Sequence, residues 1–157
     1  MKTVPERIIA NAAAAGKRVA TAESLTAGMV AAELGGVAGA SAVLQGGVVA
    51  YQNTVKEHIL GVDGALLASA GSVDARVAEE MAAGVRTLLN ADYGLSTTGV
   101  AGPDPHDGKE VGTVFIGLAG PGGVTSCEFS FRGDRASIRS QACAAALELL
   151  AGQLEPA

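Results

Sequence analysis

Short runs of β-branched and apolar residues alternate along this chain with helical stripes, and the strand runs close on glycines, hydroxyl residues or acids. Such alternation leaves few folds open, because strands interleaved with helices stack into one sheet covered on both faces. Pro5 to Ala15 predicts a helix ended by Gly16, and Arg18 to Ala22 a strand feeding into Glu23-Ser24-Leu25-Thr26. A small helix from Thr26 to Leu34 breaks at Gly35-Gly36; Ala42 to Tyr51 reads as a buried strand carrying Val43, Leu44, Val48 and Val49. Asn53 to Leu60 is a helix stopped by Gly61. Ser72 reads as the N-cap of a longer helix to Leu89, with Val77, Met81, Val85 and Leu88 on one stripe. Tyr93 to Val100, Val111 to Ala119 and Val124 to Phe131 are three further strands, the last two paired through Pro121-Gly122-Gly123. Asp134 caps a final helix whose stripe is Ile138, Ala142, Ala145 and Leu149. Five strands and five helices predict an α/β fold, a three-layer α/β/α sandwich on a mixed, mostly parallel five-stranded sheet with one antiparallel strand. Residues 1–157 are expected to form a single domain.

In such sheets ligands bind beyond the carboxyl ends of the parallel strands. Those ends fall at Glu23-Ser24, Tyr51 and Thr98-Gly99, so three separated segments are expected to face one crevice. With 31 Ala and 22 Gly, backbone geometry has to supply much of any site.

Composition removes whole classes of function. Eleven Lys and Arg against 16 Asp and Glu leave a net charge of −5, and aromatic residues are 3% with no Trp. That acidity and the lack of stacking platforms argue against nucleic acid as a partner. A small anionic ligand remains open, because a local site binds it whatever the net charge. Cys127 and Cys143 form no C-x-x-C pair, and His58 and His106 are too few for a three-histidine zinc site, so no metal is expected. No apolar run reaches the roughly 20 residues of a membrane span, and Met1 to Arg7 has no signal-peptide core. The expectation is a soluble, cytoplasmic protein with no membrane partner.

No G-x-G-x-x-G, no P-loop and no G-x-S-x-G elbow is present, so no nucleotide cofactor is expected. Three other segments carry chemistry. Thr21 to Gly28 is a strand-to-helix turn in which Ser24 has the free amides of a helix start close by; a serine there serves equally as an N-cap. Gly46 to Lys56 ends a strand with Tyr51 and places Lys56 in the next helix; a lysine neutralised by burial acts as a base where no histidine is at hand, and an exposed one does nothing. Thr97 to Asp104 leaves a strand through Thr98, Gly99, Ala101 and Gly102, suited to a phosphate or ribose, or merely to a turn. Arg135, unfavourable in the first turn of a helix, points to an anionic partner or to pairing with Asp134 or Glu128.

Taken in order, Ala22 to Gly28, Gly39-Ala40-Ser41, Gly46 to Lys56, Leu60-Gly61-Val62, Thr98 to Pro103, Val111 to Val114 and Gly133-Asp134-Arg135 resemble the CinA C-terminal-domain family, the nicotinamide-nucleotide amidohydrolases. The resemblance implies hydrolysis of the carboxamide of nicotinamide mononucleotide to nicotinic acid mononucleotide and ammonia, by a homo-oligomer without cofactor or metal. It places catalytic positions at Ser24, Ser41, Tyr51 and Lys56 and ligand-binding positions at Thr98 and Arg135; Glu23, Thr26, Gly99, Ala101 and Gly102, in the same segments, are further substrate-binding candidates. Leu25 and Ala27 stand where the family commonly has Cys and Gly, and Pro105-His106-Asp107 interrupts its usual Gly-rich stretch. The alternatives are a non-catalytic nucleotide- or partner-binding module of the competence/damage-inducible CinA type, and an amidase for another small amide. On chemistry alone Ser24 attacks, Lys56 takes its proton, and Tyr51 or Ser41 relays a proton to the leaving group. A Ser–Ser–Lys arrangement, or direct attack by water, would serve the same amide.

Overall fold

The computed structural model describes all residues, Met1–Ala157. Six α-helices and five strands follow in the order α1 (Val4–Ala15), β1 (Val19–Glu23), α2 (Met29–Gly35), β2 (Leu44–Val49), α3 (Asn53–His58), α4 (Gly64–Ala70), α5 (Ala75–Leu88), β3 (Tyr93–Gly99), β4 (Thr113–Gly120), β5 (Gly123–Ser130) and α6 (Arg135–Leu154). The sheet order is β2-β1-β3-β4-β5. β1 runs parallel to β2 and β3, while β4 is antiparallel to both its neighbours, which leaves it the one reversed strand. The mixed three-layer sandwich expected from the alternation is what forms.

Both faces of the sheet are covered. α1, α2 and α6 pack Ile8, Val30, Leu34, Ile138 and Leu150 against Leu95 and Ile116 on one side. On the other, Leu66 and Leu67 of α4 and Val77, Met81 and Val85 of α5 close over Ala20 and Ala22. The small residues let these layers lie close. A Cβ on Gly84 would strike the carbonyl of Leu60, and one on Gly117 the carbonyl of Ala78, so neither position has room for alanine.

Several expectations are corrected by packing. β2 is an edge strand whose residues alternate between half-buried and exposed, with Val49 52% exposed, because its outer side has no neighbour. Leu88 lies at the end of the α5 stripe and is exposed rather than buried. The N-cap of α5 is Asp74, whose Oδ1 accepts from the amides of Arg76 and Val77, and not Ser72. α4 was not anticipated from its short Gly64-Ala65-Leu66-Leu67 run; Asp63 caps it by accepting from the Ala65 amide. α2 begins only at Met29, so Ser24 is not its cap.

Candidate active site

The cap of α2 comes from an unexpected residue. Glu23, 1% exposed at the end of β1, accepts from the amides of Val30 (2.8 Å) and Ala31 (3.0 Å) with its two carboxylate oxygens. A buried carboxylate is tolerable there because amides at a helix start satisfy it. Thr26 donates to the same carboxylate at 2.7 Å and meets the hydroxyl of Thr97 at 2.8 Å. Residues 24–28 therefore form a turn anchored from beneath, with Ala27 (φ 47°) and Gly28 (φ 101°) in the left-handed region. Ser24 sits at the top of that turn, its own amide bonded to the Thr97 carbonyl at 2.9 Å.

Lys56 approaches the serine from behind. α3 begins just after β2, so its lysine folds back under the strand ends and is 1% exposed. Its Nζ lies 3.0 Å from Ser24 Oγ, 2.8 Å from the Ala50 carbonyl and 3.1 Å from the Tyr51 carbonyl. Carbonyls only accept, so two of the amine's hydrogens are committed to them. The third direction falls on Ser24: an ammonium donates a hydrogen bond there, whereas a neutral amine offers a lone pair to the serine O–H. No carboxylate lies within ion-pair distance of Nζ. Burial pushes the lysine from its ordinary 10.5 down to about 8, with the charge of Asp107 acting in the opposite sense.

In front of Ser24 lies a cleft of 320 Å³, lined by Ser24, Leu25, Tyr51, Ser72, the Gly99–His106 loop and Arg135. Arg135, first residue of α6, donates to the Gly102 carbonyl and to the Tyr51 hydroxyl, both at 2.7 Å. It pairs with neither Asp134 nor Glu128; Asp134 caps α6 by accepting from the Ser137 amide. A larger groove of 750 Å³ opens between α1 and the segment after α2, but neither Ser24 nor Lys56 lines it. The smaller cleft is the one that Ser24, Tyr51 and Arg135 line, and its size suits one small organic molecule.

The three strand ends thus converge as expected, bringing together Ser24, Tyr51, Gly99, Ala101, Gly102 and Arg135 with Lys56 behind. Four expected positions lie elsewhere. Glu23 and Thr26 are wholly committed to the turn beneath the site. Thr98 is 1% exposed and donates to the Ser72 carbonyl at 2.6 Å, because strand alternation turns its side chain into the α5 layer. Ser41 is exposed in a 3₁₀ turn (Ala40–Ala42) before the amino end of β2, about 20 Å of strand from the cleft.

The structure adds residues that spacing did not reveal. Ser72 and His106 line the cleft. Asp107 accepts from the Ser72 amide at 3.0 Å and its hydroxyl at 3.3 Å, and its carboxylate lies 3.2 Å from His106 Nε2. The one available signal was Pro103-Asp104-Pro105-His106, polar and directly beyond Gly102.

The fold and this cleft define an α/β/α domain with a buried lysine set against a serine at the carboxyl ends of parallel strands. The chain matches the CinA C-terminal domain over residues 1–154 and belongs to that family. It is similar to a CinA-like protein of Frankia casuarinae, 52% identical over 132 residues that make up 84% of this chain and 30% of the relative. A CinA-like protein of an Anaeromyxobacter species is 50% identical over 94% of this chain and 36% of its own length. The chain thus spans about a third of these relatives. Among solved structures, the competence/damage inducible protein CihA from Agrobacterium tumefaciens superposes with a TM-score of 0.93 at 34% identity, covering 97% of this chain and 94% of that one. A CinA-superfamily protein from Klebsiella pneumoniae gives 0.92 at 32% identity over 96% and 95%. No helix is long and apolar enough to cross a membrane.

Proposed function

We propose that this protein hydrolyses the carboxamide of nicotinamide mononucleotide, releasing ammonia and nicotinic acid mononucleotide. The observation that carries the reading is the 3.0 Å contact between Ser24 Oγ and a buried Lys56 Nζ whose other partners are carbonyls. Amide hydrolysis needs a nucleophile, a base and an acid for the leaving nitrogen. Neutral Lys56 accepts the Ser24 proton as Oγ bonds to the carboxamide carbon; the C–N bond then breaks, and the nitrogen leaves as ammonia with that proton. Water adds to the resulting ester, Lys56 takes its proton, and the carboxylic acid leaves as Ser24 is restored. In this reading Tyr51, whose hydroxyl accepts from Arg135, relays a proton to the leaving group. Arg135 has no carboxylate partner and borders the cleft, which suits a substrate phosphate.

Ammonia release from the mononucleotide, with the riboside and free nicotinamide beside it and a Ser24→Ala control, tests the reading. Release abolished in the control is expected. Binding of the mononucleotide without turnover would instead favour a binding module, the reading suggested by the 105–107 departure.

A further inference from the structure

α6 does more than bring Arg135 to the cleft. One helical turn on, Arg139 lies on the same face of the helix. Its partly buried guanidinium donates from Nε to the Leu25 carbonyl at 2.8 Å and from a terminal nitrogen to the Thr26 carbonyl at 3.4 Å. It pairs with no carboxylate. A partly buried arginine whose side-chain bonds both go to main-chain oxygens is a directed tie, and these oxygens belong to the turn that carries Ser24.

The remaining bonds of that turn show what is held. The Ser24 carbonyl accepts from Ala27, the Thr26 carbonyl from Met29, and the Ser24 amide donates to Thr97. The amides of Leu25 and Thr26 make no hydrogen bond within the chain, although both residues are buried. Unpaired buried amides are rare. Across a planar peptide the C=O and the following N–H point in opposite directions. Gripping the Leu25 carbonyl therefore fixes the plane of the peptide that follows Leu25, and Leu25 itself lines the cleft directly after Ser24.

We propose that Arg139 is a positioning residue that locks the Ser24–Gly28 turn, keeping Ser24 on Lys56 and holding the unpaired amide of Leu25, which lines the cleft, ready for the oxyanion of the tetrahedral intermediate. The inference rests on the serine-nucleophile reading of this cleft. Arg139 touches neither substrate nor Lys56; it acts through the backbone. A donor aimed at a developing oxyanion contributes about 10²–10³-fold to kcat, and a small misplacement forfeits a large part of that.

The test compares Arg139→Met and Arg139→Lys with the unmodified protein, in ammonia release and in acylation of Ser24 by p-nitrophenyl acetate. The ester needs the nucleophile and oxyanion donors but no leaving-group acid and no phosphate contact. Its acylation step therefore reports on Arg139 even if the mononucleotide proves not to be the substrate, whereas an ester that leaves Ser24 unlabelled in the unmodified protein overturns the serine reading itself. Arg139→Met is expected to lower kcat and the acylation rate by about 10–10²-fold with KM within twofold, and Arg139→Lys, which keeps a donor in reach of one carbonyl, to recover part of both. Unchanged acylation in Arg139→Met overturns the inference. So does a kcat loss that Arg139→Lys shares in full while thermal stability falls in parallel, since that is the mark of a merely structural arginine.

Discussion

The pH dependence of turnover follows directly from the surroundings of Lys56. With the lysine brought to about 8 by burial, only its neutral form accepts the Ser24 proton. At pH 7 roughly a tenth of the molecules then carry the competent base, against about 0.03% for a lysine left in water, a gain of some 300-fold. Below pH 8 kcat should rise about tenfold per pH unit and level off above pH 9. The sign of a second perturbation is fixed by the same site. The Asp107 charge favours the ammonium, so Asp107→Asn, which keeps an oxygen for Ser72, should move the limb to lower pH and raise turnover at pH 7. Lys56→Ala should lower kcat by about 10²–10⁴-fold and erase the limb, and Lys56→Arg should not restore it, because a guanidinium stays protonated. Initial rates of ammonia release between pH 5.5 and 9.5, in buffers of constant ionic strength, supply the profile. A rate that is flat or falling between pH 6 and 8, or a limb that survives in Lys56→Ala, would refute Lys56 as the base.

Three further outcomes are expected. Arg135→Ala should raise KM for the mononucleotide several-fold with a smaller change in kcat, and the penalty should shrink for the riboside, which has no phosphate; equal penalties for both would remove the phosphate from Arg135. Thr26→Val, the same shape without the hydroxyl, takes one donor from buried Glu23 and a partner from Thr97, and should cost about 1–3 kcal/mol in urea unfolding. A loss under about 0.5 kcal/mol would show that the turn is anchored by the amides alone. Ser41→Ala should leave kcat and KM unchanged, since Ser41 lies at the far end of β2; a large loss of turnover would return that serine to the chemistry.

How far the sequence could be read depended on what each residue's role rests on. Strand and helix periods are local, so all five strands were legible to within a few residues. The convergence of Ser24, Tyr51 and Gly99 followed from one rule about strand ends. Lys56 was legible as a residue type, but its burial is a consequence of where α3 folds back, which no spacing encodes. Glu23 and Thr98 look like ligand-binding groups in sequence because they carry oxygens near Ser24. Which way a strand residue faces is decided by the layer packed on it, and both face inward. Arg139 gave no signal at all: an arginine inside a helix reads as solvent-facing until the partner loop, 114 residues away, is in place.

That separation has a consequence for a chain still being made. Ser24 and Lys56 precede Arg135 and Arg139 of α6 in the chain, so they leave the ribosome well before them. Until α6 is synthesised and docks, the turn bearing Ser24 lacks its outer grip and the cleft lacks one wall. Domains of this size complete only when such distant contacts close. The nascent protein therefore carries its serine and lysine in an unassembled state until α6 emerges, and that helix is the one that completes the site.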